Sequence, residues 1–132
     1  MRIISHRGNI SGPNKNLENN PKEIDLRINE NYDVEIDLRV KGDELFLGHD
    51  LPVNPISFDW LVDRKDFLWI HCKDFLSLNY LSKQNLPLNY FWHETDKYVL
   101  TSKGFLWTYP GNELQSKCIH VMHYWTSSYS PP

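Results

Sequence analysis

Residues 32 to 40, YDVEIDLRV, alternate without a break, which sets Val34, Ile36, Leu38 and Val40 on one side of an extended strand and Glu35, Asp37 and Arg39 on the other. One face of that strand is committed to a hydrophobic core. The other carries two carboxylates two residues apart, which repel each other strongly if buried together unless a cation lies between them. A divalent metal meets that requirement, and oxygen ligands favour magnesium or calcium over zinc, a preference that an added imidazole would blur. The plain alternative is a solvated face in a half-exposed sheet, where charged alternation is ordinary.

Strand and helix patterns alternate around this segment. Residues 2 to 7 (RIISHR) read as a short buried strand that ends at Gly8 in a loop rich in Asn, Ser, Gly and Pro. Asn20-Pro21-Lys22-Glu23 offers a capping side chain, a proline at the first helical position and a Glu three residues after the cap, so a helix is predicted from there to about Asn31. Gly42-Asp43 turns the chain into a second short strand, 44 to 48, that delivers His49 and Asp50. A short helix over 57–66, a strand over 68–73 (LWIHCK) and a helix over 75–85 follow. Such alternation predicts right-handed crossovers and a parallel sheet. Three apolar runs remain, YFWHE (90–94), FLWTY (105–109) and CIHVMHY (118–124), spaced too closely for full helices between them. The reading is one domain over 1–125 and an aperiodic tail over 126–132.

Chemistry-bearing residues fall at predicted strand ends, where loops open and strands hold side chains in place. His6-Arg7 ends the first strand, Glu35-x-Asp37 lies in the second, His49-Asp50 ends the hairpin and His71-x-Lys73 ends the next strand. Arg7 and Lys73 bring positive charge of the kind that offsets phosphate oxygens, and two histidines can divide proton donation and acceptance. His93, His120 and His123 read as structural or exposed, and Trp69, Trp92, Trp107 and Tyr109 as core or as pocket lining.

A net charge of -3 with no basic stripe argues against a nucleic-acid partner. No apolar run reaches the roughly 18 residues of a membrane span, and the strand pattern that begins after Met1 leaves no leader to be expected. Cys72 and Cys118 lack paired metal or redox spacing and read as reduced buried thiols, consistent with a cytoplasmic setting.

In their order and separations, ISHRGN, LENNP, DVEIDLRV and LFLGHD resemble the first third of the glycerophosphodiester phosphodiesterase family, itself similar to the phosphatidylinositol phospholipase C barrels. WIHCKD, NYFWHETD, LTSKGFLWTYPG and CIHVMHY resemble a shortened bacterial and phage subgroup. The resemblance implies a TIM-type (β/α) barrel, metal on Glu35 and Asp37, an acid-base pair of His6 and His49, and Arg7 on the phosphate. It further implies that Glu18 and Asn19 shape the site, with Asn19 near the phosphate, and that Trp107 contributes to the substrate pocket. Where the family places a Glu two residues before Lys, this chain has His71 before Lys73, so the third metal ligand is His71 itself or Glu94 from the next strand. A complete barrel takes roughly 200 residues or more, so at 132 residues the expected barrel is shortened or incomplete. The subgroup's closing Ser-Asp or Thr-Asp pair is missing from 126–132, and an exposed sheet edge there would favour a homodimer. The expected function is metal-dependent hydrolysis of a small-molecule phosphodiester. Its rivals are a non-catalytic anion-binding module and a truncated remnant of such an enzyme.

Overall fold

In the computed structural model, which describes residues 2–112 and 118–120, the alternating segment forms β2 (Asp33–Lys41), the central strand of a six-stranded sheet. Along one edge of β2 its first half pairs in parallel with β1 (Ile4–His6) and its second half pairs antiparallel with β3 (Glu44–Leu47). The other edge pairs in parallel with β5 (Leu68–Cys72), which in turn carries β6 (Tyr90–Phe91). Strand β4 (Asn54–Ile56), which the sequence pattern did not suggest, extends the sheet beyond β3. The turn from β2 to β3 has Gly42 at φ +63, a left-handed conformation that a tight two-residue hairpin requires and that glycine adopts without a steric cost.

Three helices connect these strands, and each starts where a side chain caps it. Asn20 accepts hydrogen bonds from the Lys22 and Glu23 amides ahead of α1 (Pro21–Asn29), and Ser57 caps α2 (Phe58–Asp63). Asp74 and Ser77 form a reciprocal capping box on α3 (Phe75–Ser82). Such caps contribute about 1 kcal/mol each. The helices bury Ile24, Leu61 and Leu81 against Val34, Ile36, Leu38, Leu68, Ile70 and Cys72, forming the main core on one face of the sheet. Burial pushes the Cys72 thiol up to about 12, so it stays a thiol inside that core.

The opposite face of the sheet is covered by a second sheet of three strands, β7 (Tyr98–Leu100), β8 (Leu106–Thr108) and β9 (Cys118–His120). Trp69 on β5 packs edge-on to Phe105 at 4.8 Å between ring centroids and lies 5.8 Å from Trp107. Phe91 stacks on Trp107 at 5.1 Å, so Trp69, Phe91, Val99 and Trp107 make a second, aromatic core between the sheets.

This architecture overturns the expectation of a TIM-type (β/α) barrel, whether shortened or incomplete. Among the described residues strand outweighs helix, 30% against 20%, the strands form two separate sheets and no barrel closes. The physical reason lies in the links of the second half. Only residues 92–97 join β6 to β7 and 101–105 join β7 to β8, whereas a parallel crossover with a helix takes a dozen residues or more. Strands β7 and β8 therefore pair antiparallel. Residues 121–124 of the predicted last strand, His123, and the tail at 126–132 lie outside the described residues. No described helix is long and apolar enough to cross a membrane.

Candidate metal centre

Parallel register brings the predicted residues side by side. His6 on β1 is the lateral neighbour of Glu35, and Asp37 on β2 is the lateral neighbour of His71 on β5. Lateral neighbours point to the same face about 4.8 Å apart, and Glu35 and Asp37 share that face by their spacing of two. It is the face that the second sheet covers, and Glu35, Asp37 and His71 are consequently 3%, 1% and 8% exposed. A solvated strand face is thus ruled out for this acidic pair.

One ligand atom from each of Glu35, Asp37 and His71 lies within 4.8 Å of the others, so this buried triad could hold a metal ion. His71 Nδ1 is 3.4 Å from Asp37 Oδ1 and 4.0 Å from Glu35 Oε1. Glu94, the alternative third ligand, is exposed at the rim of the same cavity and does not join the triad.

The two carboxylates are pushed in opposite directions. Burial, and then the charge of Asp37, hold the Glu35 carboxyl well above the usual carboxylate range, and Arg7 and Lys73 offset this only in part. Burial also opposes ionisation of Asp37, but hydrogen bonds from His71 and Asn19 and the Arg7 charge outweigh it and hold that carboxyl well below its usual value. In the metal-free protein one acid is therefore strongly ionised and the other resists ionisation. Glu35 Oε2 is buried and makes no hydrogen bond, with His6 Nε2 3.5 Å away. A cation between the two acids would relieve both the repulsion and the orphaned oxygen.

The loop after β1 braces this centre. Arg7 and Asn19 both have left-handed backbones, φ +58 and +57, a conformation that costs a non-glycine residue roughly 1 kcal/mol or more and recurs at functional sites. Their strain is held by backbone hydrogen bonds from Arg7 to Glu35 and from Asn19 to Arg7, both 2.8 Å. Asn19 spends both ends of its side chain on Asp37, donating to Oδ2 and accepting from the backbone amide, each at 2.9 Å. It therefore orients a ligand, and its side chain is turned to the acid it braces. The Arg7 guanidinium spans Asp37 and Glu18 at 3.1 Å each, which places fixed positive charge beside the triad.

A cavity of ≈ 200 Å³ opens over the triad. His6, Arg7, His49 and Lys73 line it together with Phe91, His93, Trp107 and Tyr109. His49 reaches this cavity from the turn after β3, with Nδ1 2.9 Å from Asp50 Oδ1. Its backbone is fastened by Arg39, which donates to the carbonyls of Gly48 (3.0 Å) and His49. Arg39 was legible on the acidic face of β2, but its role in holding His49 depends on the return of the hairpin.

Gly48 is required here by close approach. An added Cβ would lie 1.8 Å from the Leu51 carbonyl oxygen and 3.2 Å from the Val53 amide nitrogen, atoms that cannot yield without moving the chain. Gly48→Ala is expected to cost about 2–3 kcal/mol and to displace His49, measured as a lowered urea midpoint of the metal-free chain. A loss below about 0.5 kcal/mol, the range of unconstrained surface changes, would mean that this turn does not fix His49.

One wall residue escaped the sequence reading. His93, read there as structural or exposed, stacks on His71 with centroids 4.5 Å apart and hydrogen-bonds through Nε2 to the Tyr109 hydroxyl. Burial, then the nearby His71 and Lys73, lower it to about 4, so it stays neutral at ordinary pH. Burial and the Glu35 charge raise the Tyr109 phenol, which keeps its proton. The signal was present as the two-residue period Phe91-x-His93, which continues the face of His71 through the pairing of His71 with Phe91. No protein-family profile, no curated protein and no solved structure matches this chain.

Proposed function

We propose that this protein is a metal-dependent phosphodiester hydrolase, akin to the glycerophosphodiester phosphodiesterases that its HRG, ExD and HD segments resemble. The observation that carries this reading is the convergence of a carboxylate-imidazole triad, two further histidines and two cationic side chains on one cavity. A divalent ion held by Glu35, Asp37 and His71 would supply Lewis-acid polarisation of a phosphoryl oxygen. Arg7 and Lys73 offset the negative charge that gathers on the phosphoryl group as the attacking oxygen closes on it.

The histidines divide the proton transfers. His6, whose Nε2 is turned toward the Glu35 carboxylate, takes the proton from the attacking oxygen as its bond to phosphorus forms. His49 is held through Nδ1 by Asp50, which leaves Nε2 to donate to the departing alcohol as its bond to phosphorus breaks. The attacking oxygen is water, or a hydroxyl beside the ester in substrates such as glycerol esters. Tyr109 lines the cavity with its hydroxyl hydrogen-bonded to His93 Nε2, which holds that imidazole beside His71.

Bis(p-nitrophenyl) phosphate and a glycerophosphodiester are the test substrates. Turnover is expected to disappear with a chelator and to return on adding a divalent ion. Saturable binding of inorganic phosphate with no turnover under any divalent ion would identify a non-catalytic anion site and reject the hydrolase.

A further inference from the structure

The third donor of the triad is a nitrogen, and that changes which ion the centre selects. We infer that the site takes a borderline first-row transition ion, with zinc and cobalt preferred over magnesium and calcium. This rests on the reading that Glu35, Asp37 and His71 hold a divalent ion, but not on what reaction that ion serves.

Three observations carry it. The first is donor chemistry. Magnesium and calcium are hard ions that take oxygen and gain affinity from the charge of their ligands, whereas imidazole suits zinc and its neighbours. With His71 in place of a third carboxylate the donor set is two oxygens and one nitrogen, which suits a borderline ion. The second is spacing. Donors about 2.1 Å from a tetrahedral ion are roughly 3.4 Å apart; His71 Nδ1 lies 3.4 Å from Asp37 Oδ1 and 4.0 Å from Glu35 Oε1, so the first pair has that spacing and the second is wider.

The third is how the ring is held. His71 is 8% exposed, and its ring runs nearly parallel to those of Phe91, at 5.0 Å and 12°, and His93, at 4.5 Å and 11°, which are themselves 6.1 Å apart. These ring contacts and its burial hold the imidazole with Nδ1 turned to the acids, while Nε2 is buried without a hydrogen bond. Oε2 of the buried Glu35 also makes no hydrogen bond, and a coordinated ion would satisfy it.

The test is calorimetric titration of the metal-free full chain with zinc, manganese, magnesium and calcium, repeated for His71→Glu and His71→Gln. The zinc-to-magnesium affinity ratio is expected to fall at least about tenfold in His71→Glu, which restores an all-oxygen set, and zinc affinity to fall about 10–100-fold in His71→Gln. Pulsed EPR of bound manganese gives a readout independent of any ratio. Nitrogen modulation from a coordinated imidazole is expected in the wild type and lost in both variants. Wild type labelled with 15N-histidine needs no substitution, and its modulation should change isotope in step.

Magnesium or calcium binding as tightly as zinc, a ratio unmoved in His71→Glu, or no nitrogen modulation in the wild type would each overturn the inference. A chain that binds zinc through His71 yet cleaves no phosphodiester would keep it and reject the hydrolase. A magnesium-dependent hydrolase whose metal affinities ignore His71 would do the reverse.

Discussion

Glu35→Gln is expected to abolish divalent-ion binding and, in the same chain without metal, to raise stability. The two effects have one cause. Glu35 is 3% exposed and shares its face with ionised Asp37, so burial and like charge make its carboxylate unfavourable in the metal-free fold. Glutamine has the same shape without the charge, and replacing a poorly compensated buried charge in this way is worth on the order of 1–2 kcal/mol. The sign follows from linkage. Because the folded-state pKa lies above the unfolded one, Glu35 stabilises the fold while it is protonated, below about pH 4.5, and that contribution is lost as pH rises through the raised folded value. The stability gap between Glu35→Gln and wild type should therefore widen with pH over that window in chelator-treated samples. With metal the order reverses, because coordination needs the deprotonated acid and only the wild type can supply it. Urea unfolding of both proteins across the pH range, with and without metal, reads all of this. A glutamine variant less stable than metal-free wild type above neutral pH would show that Glu35 is held by local ion pairing and not reserved for a cation.

Removing the proton-transfer groups is expected to separate by leaving group. His6→Ala and His49→Ala should each lower turnover of a glycerophosphodiester by about 10²–10⁴-fold, the usual worth of a positioned acid or base. Metal affinity should be unchanged in His49→Ala, whose ring pairs with Asp50 and stands apart from the triad. With bis(p-nitrophenyl) phosphate the His49→Ala loss should shrink, since nitrophenolate departs without a proton, whereas the His6→Ala loss should persist. The double variant should fall short of the product of the two losses, because paired groups act as a unit. Equal sensitivity of both variants to the leaving group would reverse or cancel the assigned roles, and full turnover in either would remove that histidine from the chemistry.

How much of this was legible in the chain depends on the range over which each feature is encoded. Asn20-Pro21 and Ser57 mark helix starts because a cap and the first turn it serves are three residues apart, and both helices begin there. The pairing of Glu35 with Asp37 on one face follows from the two-residue period of a strand, which nothing outside the strand can alter. The resemblance of four short segments singled out His6, Arg7 and His49, the strand-end position of His71-x-Lys73 added the other two, and these side chains line one cavity. Strands β4 and β7 were not legible. They are three residues each, and their pairing with β3 and β8 is what makes them strands. His93 was set aside because stacking on His71 and a hydrogen bond to Tyr109 across sixteen residues leave no local pattern.

The sequence by itself determined that one side of 32–40 would be apolar and the other acidic, and that histidines and cations would sit at strand ends, since both are set by spacing along the backbone. Only the tertiary structure decided that the acidic side is buried, because that rests on a second sheet packing over it through Trp69, Phe91 and Trp107. It likewise decided against a barrel among the described residues, through short links of which the five-residue one turns β8 antiparallel to β7. Register across strands more than thirty residues apart set His71 beside Asp37. Spacing chooses which side chains share a face, but what covers that face is a long-range packing outcome, and burial of the face is what turns two ordinary acids into a candidate metal site.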